Sequence, residues 1–260
     1  MTEQHLTEPA ARRRGPSPVF LALVALTGLG AWMAWTGAGD PRLGVFVLVT
    51  GGWVVSLCLH EFAHALTAYR AGDHSVADKG YLGLNPLRYT DAMMSIVLPL
   101  VFVVLGGIGL PGGAVWIEHG RIPGRLRHSL VSAAGPLVNV VLAAVLLVAV
   151  GRLAPAMPEH SVFWAGLAFL AILQVSASLL NLLPVPGLDG FGIVEPWLPP
   201  AWSERAAGVG PFGILVVFAL LWVPEVNQGF FGLVDAVARA AGVEPILAGL
   251  GQALFRFWQS

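Results

Sequence analysis

Charge is what this sequence most lacks. Only 11% of its 260 residues are Asp, Glu, Lys or Arg, against about 25% in an ordinary soluble domain. The net charge is −1, so no basic surface points to a nucleic-acid partner. There is one cysteine, Cys58, and no disulfide framework can form within the chain. Polar runs are equally scarce. The longest is about twenty residues, too short for a separate soluble domain. What fills the chain is apolar: 56% hydrophobic residues and a mean hydropathy of +0.75. The 32 glycines and 19 prolines suit helices that pack closely or are broken in a bilayer.

These features predict an all-α polytopic membrane protein with about five to six transmembrane helices. The spans are expected at residues 19–36, 43–69, 130–150, 162–183 and 206–223. Residues 1–18 carry Arg12, Arg13 and Arg14 and read as a cytoplasmic tail. No small-residue cleavage site follows the first apolar run, and Trp32 and Trp35 suit a retained anchor. Residues 19–223 form the main domain, and 224–260 one or two helices at the membrane interface. Residues 92–110 are apolar but end in Leu-Gly-Gly-Ile-Gly-Leu-Pro-Gly-Gly at 105–113. A re-entrant helix or short β-hairpin is expected over 92–118.

The chemistry gathers at the end of the second span, in Leu59-His60-Glu61-Phe62-Ala63-His64. Residues four apart share a helix face, so His60 and His64 can both reach one metal ion. Glu61 beside them can take a proton from a metal-activated water. In a soluble chain two satisfied histidines and a stray acid would explain the pattern. At membrane depth ionisable groups are costly, about 2.5–3.5 kcal/mol for an Asp or Lys on insertion scales, and usually functional. Three of them within five residues need a common partner, and a divalent cation is the simplest one.

A catalytic zinc takes three protein ligands and an open position. Asp189, Glu195, Asp73, Asp78, Glu118, His74 and His119 are the available donors. Asp189 stands out. It follows Pro184, Pro186 and Gly187 at the end of a span, where a helix must unwind. Unwound backbone at that depth is tolerated where it is buried in protein or lines a cavity. An ordinary membrane-exit turn is the other reading. Asn139 follows Gly135-Pro136, a pair expected to break or kink its helix. By itself Asn139 fits a hydrogen bond between spans as well as a site.

Together, His60-Glu61-x-x-His64, Ala134-Gly135-Pro136-x-x-Asn139 and Asn181-x-x-Pro184-x-Pro186-x-Leu188-Asp189-Gly190 resemble the site-2 protease family of intramembrane zinc metalloproteases. The resemblance covers about residues 53–193. It implies a Zn2+ cofactor held by His60, His64 and Asp189, with Glu61 as general base. It also implies that Asn139 holds the substrate strand or its developing oxyanion. The implied substrate is a transmembrane helix of another protein, for instance an anti-sigma factor. No stretch could be the PDZ or CBS domain that many members carry, and the chain looks most like compact bacterial members in the cell membrane. A metal-ion transporter or sensor, or an inactive scaffold, are the rival classes. A transporter would need ligands at several depths, and a scaffold has no use for Glu61.

One metal needs its ligands at one depth, and this restricts the topology. His60 lies 17 residues past Leu43, roughly 25 Å along a helix, near the far side of a core about 30 Å thick. The span over 162–183 must exit on the same side to deliver Asp189. Two apolar segments intervene, so one of them does not cross. Residues 92–110 are the broken one. Ala114, Val115 and Trp116 could then return beside the site and pair with an unwound substrate by strand addition. With the arginine-rich tail inside, the site faces the cytoplasmic half.

Overall fold

The computed structural model describes residues 15–89 and 115–259. Among them every regular element is helical and no strand occurs, in agreement with the all-α expectation. Helix α1 runs Pro18–Thr36 and α2 runs Pro41–Ala71. The Ser17 hydroxyl accepts from the Phe20 amide and the Asp40 carboxylate from the Arg42 amide. Each satisfies an orphan N–H ahead of a first-turn proline. Gly37, left-handed at φ 70°, ends α1. The turn is too short for anything but an antiparallel pair. Small residues then bring the two backbones together: a Cβ on Gly30 would overlap the Leu48 backbone, and one on Gly51 would overlap Thr27.

A short helix α3, Ser75–Asp78, follows. Then come α4, Arg125–Leu153, and α5, Ser161–Asn181. Short α6, Asp189–Val194, leads to α7, Pro200–Leu221. Helices α8, Pro224–Ala240, and α9, Pro245–Phe255, close the chain. Four helices are long and apolar enough to cross a membrane: α1, α2, α4 and α5. Helix α7 bends by 72° and adds a fifth span if its halves are one. Gly135-Pro136, expected to break or kink its helix, does not break it. Pro136 sits inside an unbroken α4, because an apolar surrounding leaves the remaining backbone groups no better partner than the helix itself.

Burial separates centre from periphery. Of the apolar windows, 72% of α5's and 61% of α2's residues are buried, against 17% of α1's. Helices α2 and α5 are therefore the axis of the bundle. Leu21, Val24, Leu137, Val141 and Val145 point outward, as lipid-facing side chains must. Helix α9 packs into the bundle: a Cβ on Gly251 would overlap the Ala165 carbonyl, and Phe255 is wholly buried against Phe46 and Phe169. The segment expected to be re-entrant falls mostly on residues 90–114, which lie outside the described residues. Its remaining part, 115–118, is irregular. The chain on either side of that gap meets itself, since a Cβ on Gly72 would lie 2.9 Å from the Arg121 carbonyl oxygen.

Candidate metal centre

The helical repeat of α2 sets His60 and His64 one turn apart on one face. Their Nε2 atoms are 3.0 Å apart, and both side chains are buried. The third member arrives from the far end of α5. That helix ends at Asn181, and the chain turns through Pro184, Pro186 and Gly187 before α6 begins at Asp189. Gly187 has φ 92°, a left-handed conformation that a side chain would strain. A Cβ on Gly190 would overlap the Leu182 and Leu183 carbonyls, so the turn folds tightly on itself. Helix α7 buttresses it, for Gly213 and Gly210 lie against the backbones of Pro186 and Gly187. The outcome is an Asp189 carboxylate with Oδ2 3.2 Å from His60 Nε2 and Oδ1 3.3 Å from His64 Nε2.

These separations fit one ion. Two ligand atoms about 2.0–2.2 Å from a tetrahedral zinc lie roughly 3.3 Å apart. Among the described residues no other group of three metal-binding side chains comes together. The surroundings agree. His64 Nδ1 lies 2.7 Å from the Val131 carbonyl oxygen, which makes Nδ1 the protonated nitrogen and leaves the Nε2 lone pair facing the cluster. Gly135 of α4 forms the cradle: a Cβ there would overlap Nε2 of both His60 and His64. Two buried imidazoles and a half-buried carboxylate, closed on one side by glycine backbone, are a donor set for Zn2+.

Glu61 is 2% exposed, with Oε1 4.0 Å from His60 Nε2. Its Oε2 accepts a hydrogen bond from the Val115 amide at 3.2 Å. Asn139 is buried one turn after Gly135, so it lies on the face of α4 that borders the cluster. Ala114 lies outside the described residues. Trp116 exposes its ring, while its carbonyl accepts from Lys79 Nζ.

The other sequence candidates for a third ligand are engaged elsewhere. Asp73 accepts from Ser75 and from the Glu118 amide. Glu118 bonds Lys79 and Arg121, and the Lys79 ammonium, with Ser75 and Arg121, holds its carboxyl down at about 2. His74 packs on Tyr69 and His119 on His128. Burial, with the neighbouring His128, lowers the affinity of His119 for a proton. Asp78 lies in α3 and Glu195 opens a 3-10 turn after α6. Neither is in the cluster. Sequence reasoning missed two kinds of residue. Gly135 was read as a helix breaker and is the floor of the cluster. Asp73, Lys79 and the glycines of α7 carry no spacing signal, because their partners are distant in the chain.

No protein-family model and no solved structure matches the chain. Similar bacterial sequences do exist. The chain is 49% identical over 249 residues to a protein of Mycolicibacterium smegmatis named as zinc metalloprotease Rip2, covering 94% of this chain and 95% of that one. A protein of the same name from Mycobacterium tuberculosis is 49% identical over 248 residues, covering 94% of each. A protein of Bacillus subtilis named as zinc metalloprotease YwhC is 32% identical over 180 residues, covering 66% of this chain and 78% of that one.

Proposed function

Since the chain belongs to the site-2 protease family of zinc metalloproteases, we propose that it hydrolyses peptide bonds of transmembrane helices within the bilayer. One observation carries this reading. His60, His64 and Asp189 converge from two separate helices on one buried point, with Glu61 beside it. His60, His64 and Asp189 are the residues that hold zinc. Zinc, when bound, supplies an electrophile for the scissile carbonyl and an acidified water. Glu61 takes the proton of the attacking water and passes one to the departing amine nitrogen. Asn139 donates from its amide to the developing oxyanion. Its place on the cluster face of α4 supports that role.

The substrate must present an extended strand, because a hydrogen-bonded helix shields its carbonyls. Val115–Glu118 is the segment it is laid against, by backbone pairing. Val115 already donates to Glu61, and so this segment borders the reacting atoms. The protein crosses the membrane several times, with the centre toward the cytoplasmic side. Residues 72 and 121 both lie on that side. The adjacency of Gly72 and Arg121 supports this, as does the approach of both Gly135 near the start of α4 and His60 near the end of α2 to the cluster. The consequence of cleavage is release of a regulator such as a sigma factor held by a membrane-bound anti-sigma factor. The test is cleavage of a co-expressed, tagged membrane substrate. The wild type cleaves it and Glu61→Gln leaves it intact; equal processing by both rejects the reading. For topology, thiols introduced at Arg121 and Arg152 should label from opposite sides.

A further inference from the structure

Asp73 is a wholly buried carboxylate outside the metal centre, and the chemistry above does not use it. It stands directly after α2, where its amide donates to the Ala68 carbonyl at 3.0 Å. Its Oδ1 accepts from the Ser75 amide at 3.0 Å and the Ser75 hydroxyl at 2.6 Å. Its Oδ2 accepts from the Glu118 amide at 2.8 Å. Lys79 Nζ adds contacts of 3.1 Å to the Trp116 carbonyl and to Glu118 Oε1, and 3.0 Å to the Ser75 hydroxyl. Gly72 presses its backbone on Arg121. One end of the helix that carries His60, Glu61 and His64 is thus bolted to residues 115–121.

The direction of these bonds matters. The Trp116 carbonyl and the Glu118 amide both turn to Asp73 and Lys79. The Val115 amide turns the other way, to Glu61. Residues 116 and 118 are thus tied to Lys79 and Asp73, while Val115 reaches Glu61 beside the metal ligands.

We propose that Asp73 is a positioning residue for substrate: it fixes the height and register of the 115–118 edge against which the scissile strand lies. This rests on the protease reading above. Asp73→Asn isolates the effect. An asparagine has one acceptor oxygen, so it can keep the Ser75 turn but then turns an NH2 toward the Glu118 amide.

The experiment uses full-length protein carrying Ile117→Cys, with and without Asp73→Asn. The probe is a tagged transmembrane peptide with a central Asn-Pro pair that the wild type cleaves and Glu61→Gln does not. In Asp73→Asn, maleimide labelling at position 117 accelerates several-fold while buried Cys58 stays unlabelled. KM rises about tenfold, the scale of one lost hydrogen bond to a charged group. The cleaved bond scatters to neighbouring positions, and kcat and zinc content hold. Unchanged labelling and KM overturn the proposal. So does a fall in kcat and zinc content at constant KM, which would make Asp73 a structural support only. The protease reading fails by a different result, equal cleavage by the wild type and Glu61→Gln.

Discussion

An absent side chain decides as much here as the ligands themselves. His60 and His64 are set by helical spacing, but the backbone of α4 can approach them only because residue 135 is glycine. Alanine is a better helix former than glycine, so Gly135→Ala would favour α4 on propensity alone. Its methyl would nevertheless fall on both Nε2 atoms. The expected result is zinc binding about 10- to 100-fold weaker, the range seen when groups supporting metal ligands are disturbed, without loss of helix. Zinc content measured in buffered zinc, beside circular dichroism, checks it. Retention of wild-type zinc affinity would mean that α4 can withdraw from the cluster. The pair His60 and His64 was legible because residue type and spacing carry the chemistry, and Asp189 only through the family resemblance. The part played by Gly135 was not, because contact with a histidine 75 residues earlier leaves no local mark.

The next scale is the element. Helix α2 works as one rod, with its first half packing on α1 through small residues and its second half carrying the centre. The loop from Leu182 to Leu188 is a shaped element of its own, held by α7. The 115–121 segment depends on a small group of charged side chains. The Lys79 ammonium, with Ser75 and Arg121, holds the Glu118 carboxyl down at about 2, below its ordinary 4.5. A depressed carboxyl contributes stability above its ordinary value and loses it as pH falls toward the folded one. The wild type should therefore melt above Glu118→Gln near pH 6, with the gap closing between about pH 5 and pH 2. Melting curves across that range test this, and a constant gap would show that the Lys79 and Arg121 contacts contribute nothing. That the chain holds long apolar helices was legible from its apolar runs. The continuity of α4 through Pro136 was not, because a proline in sequence signals a break that an apolar environment suppresses.

At the scale of the whole molecule, the centre ties the axis helices α2 and α5 together. Zinc that binds only the folded arrangement stabilises it by mass action. Stripping zinc with a chelator should lower the melting temperature by several degrees, about 2–4 °C for each kcal/mol in a chain of this size. Added zinc should restore it, and His64→Ala should not respond to the chelator. An identical melting curve with and without chelator would show that the site contributes nothing to holding the helices. The sequence by itself determined the membrane class, the presence of long apolar helices and the family, because composition, periodicity and motif order are local properties of the chain. Only the tertiary structure decided that Asp189 and not another acid joins the histidines, that Gly135 borders them, and that Asp73 anchors the segment touching Glu61. Those are contacts between residues far apart in sequence, fixed by how the helices pack and where small residues let them meet.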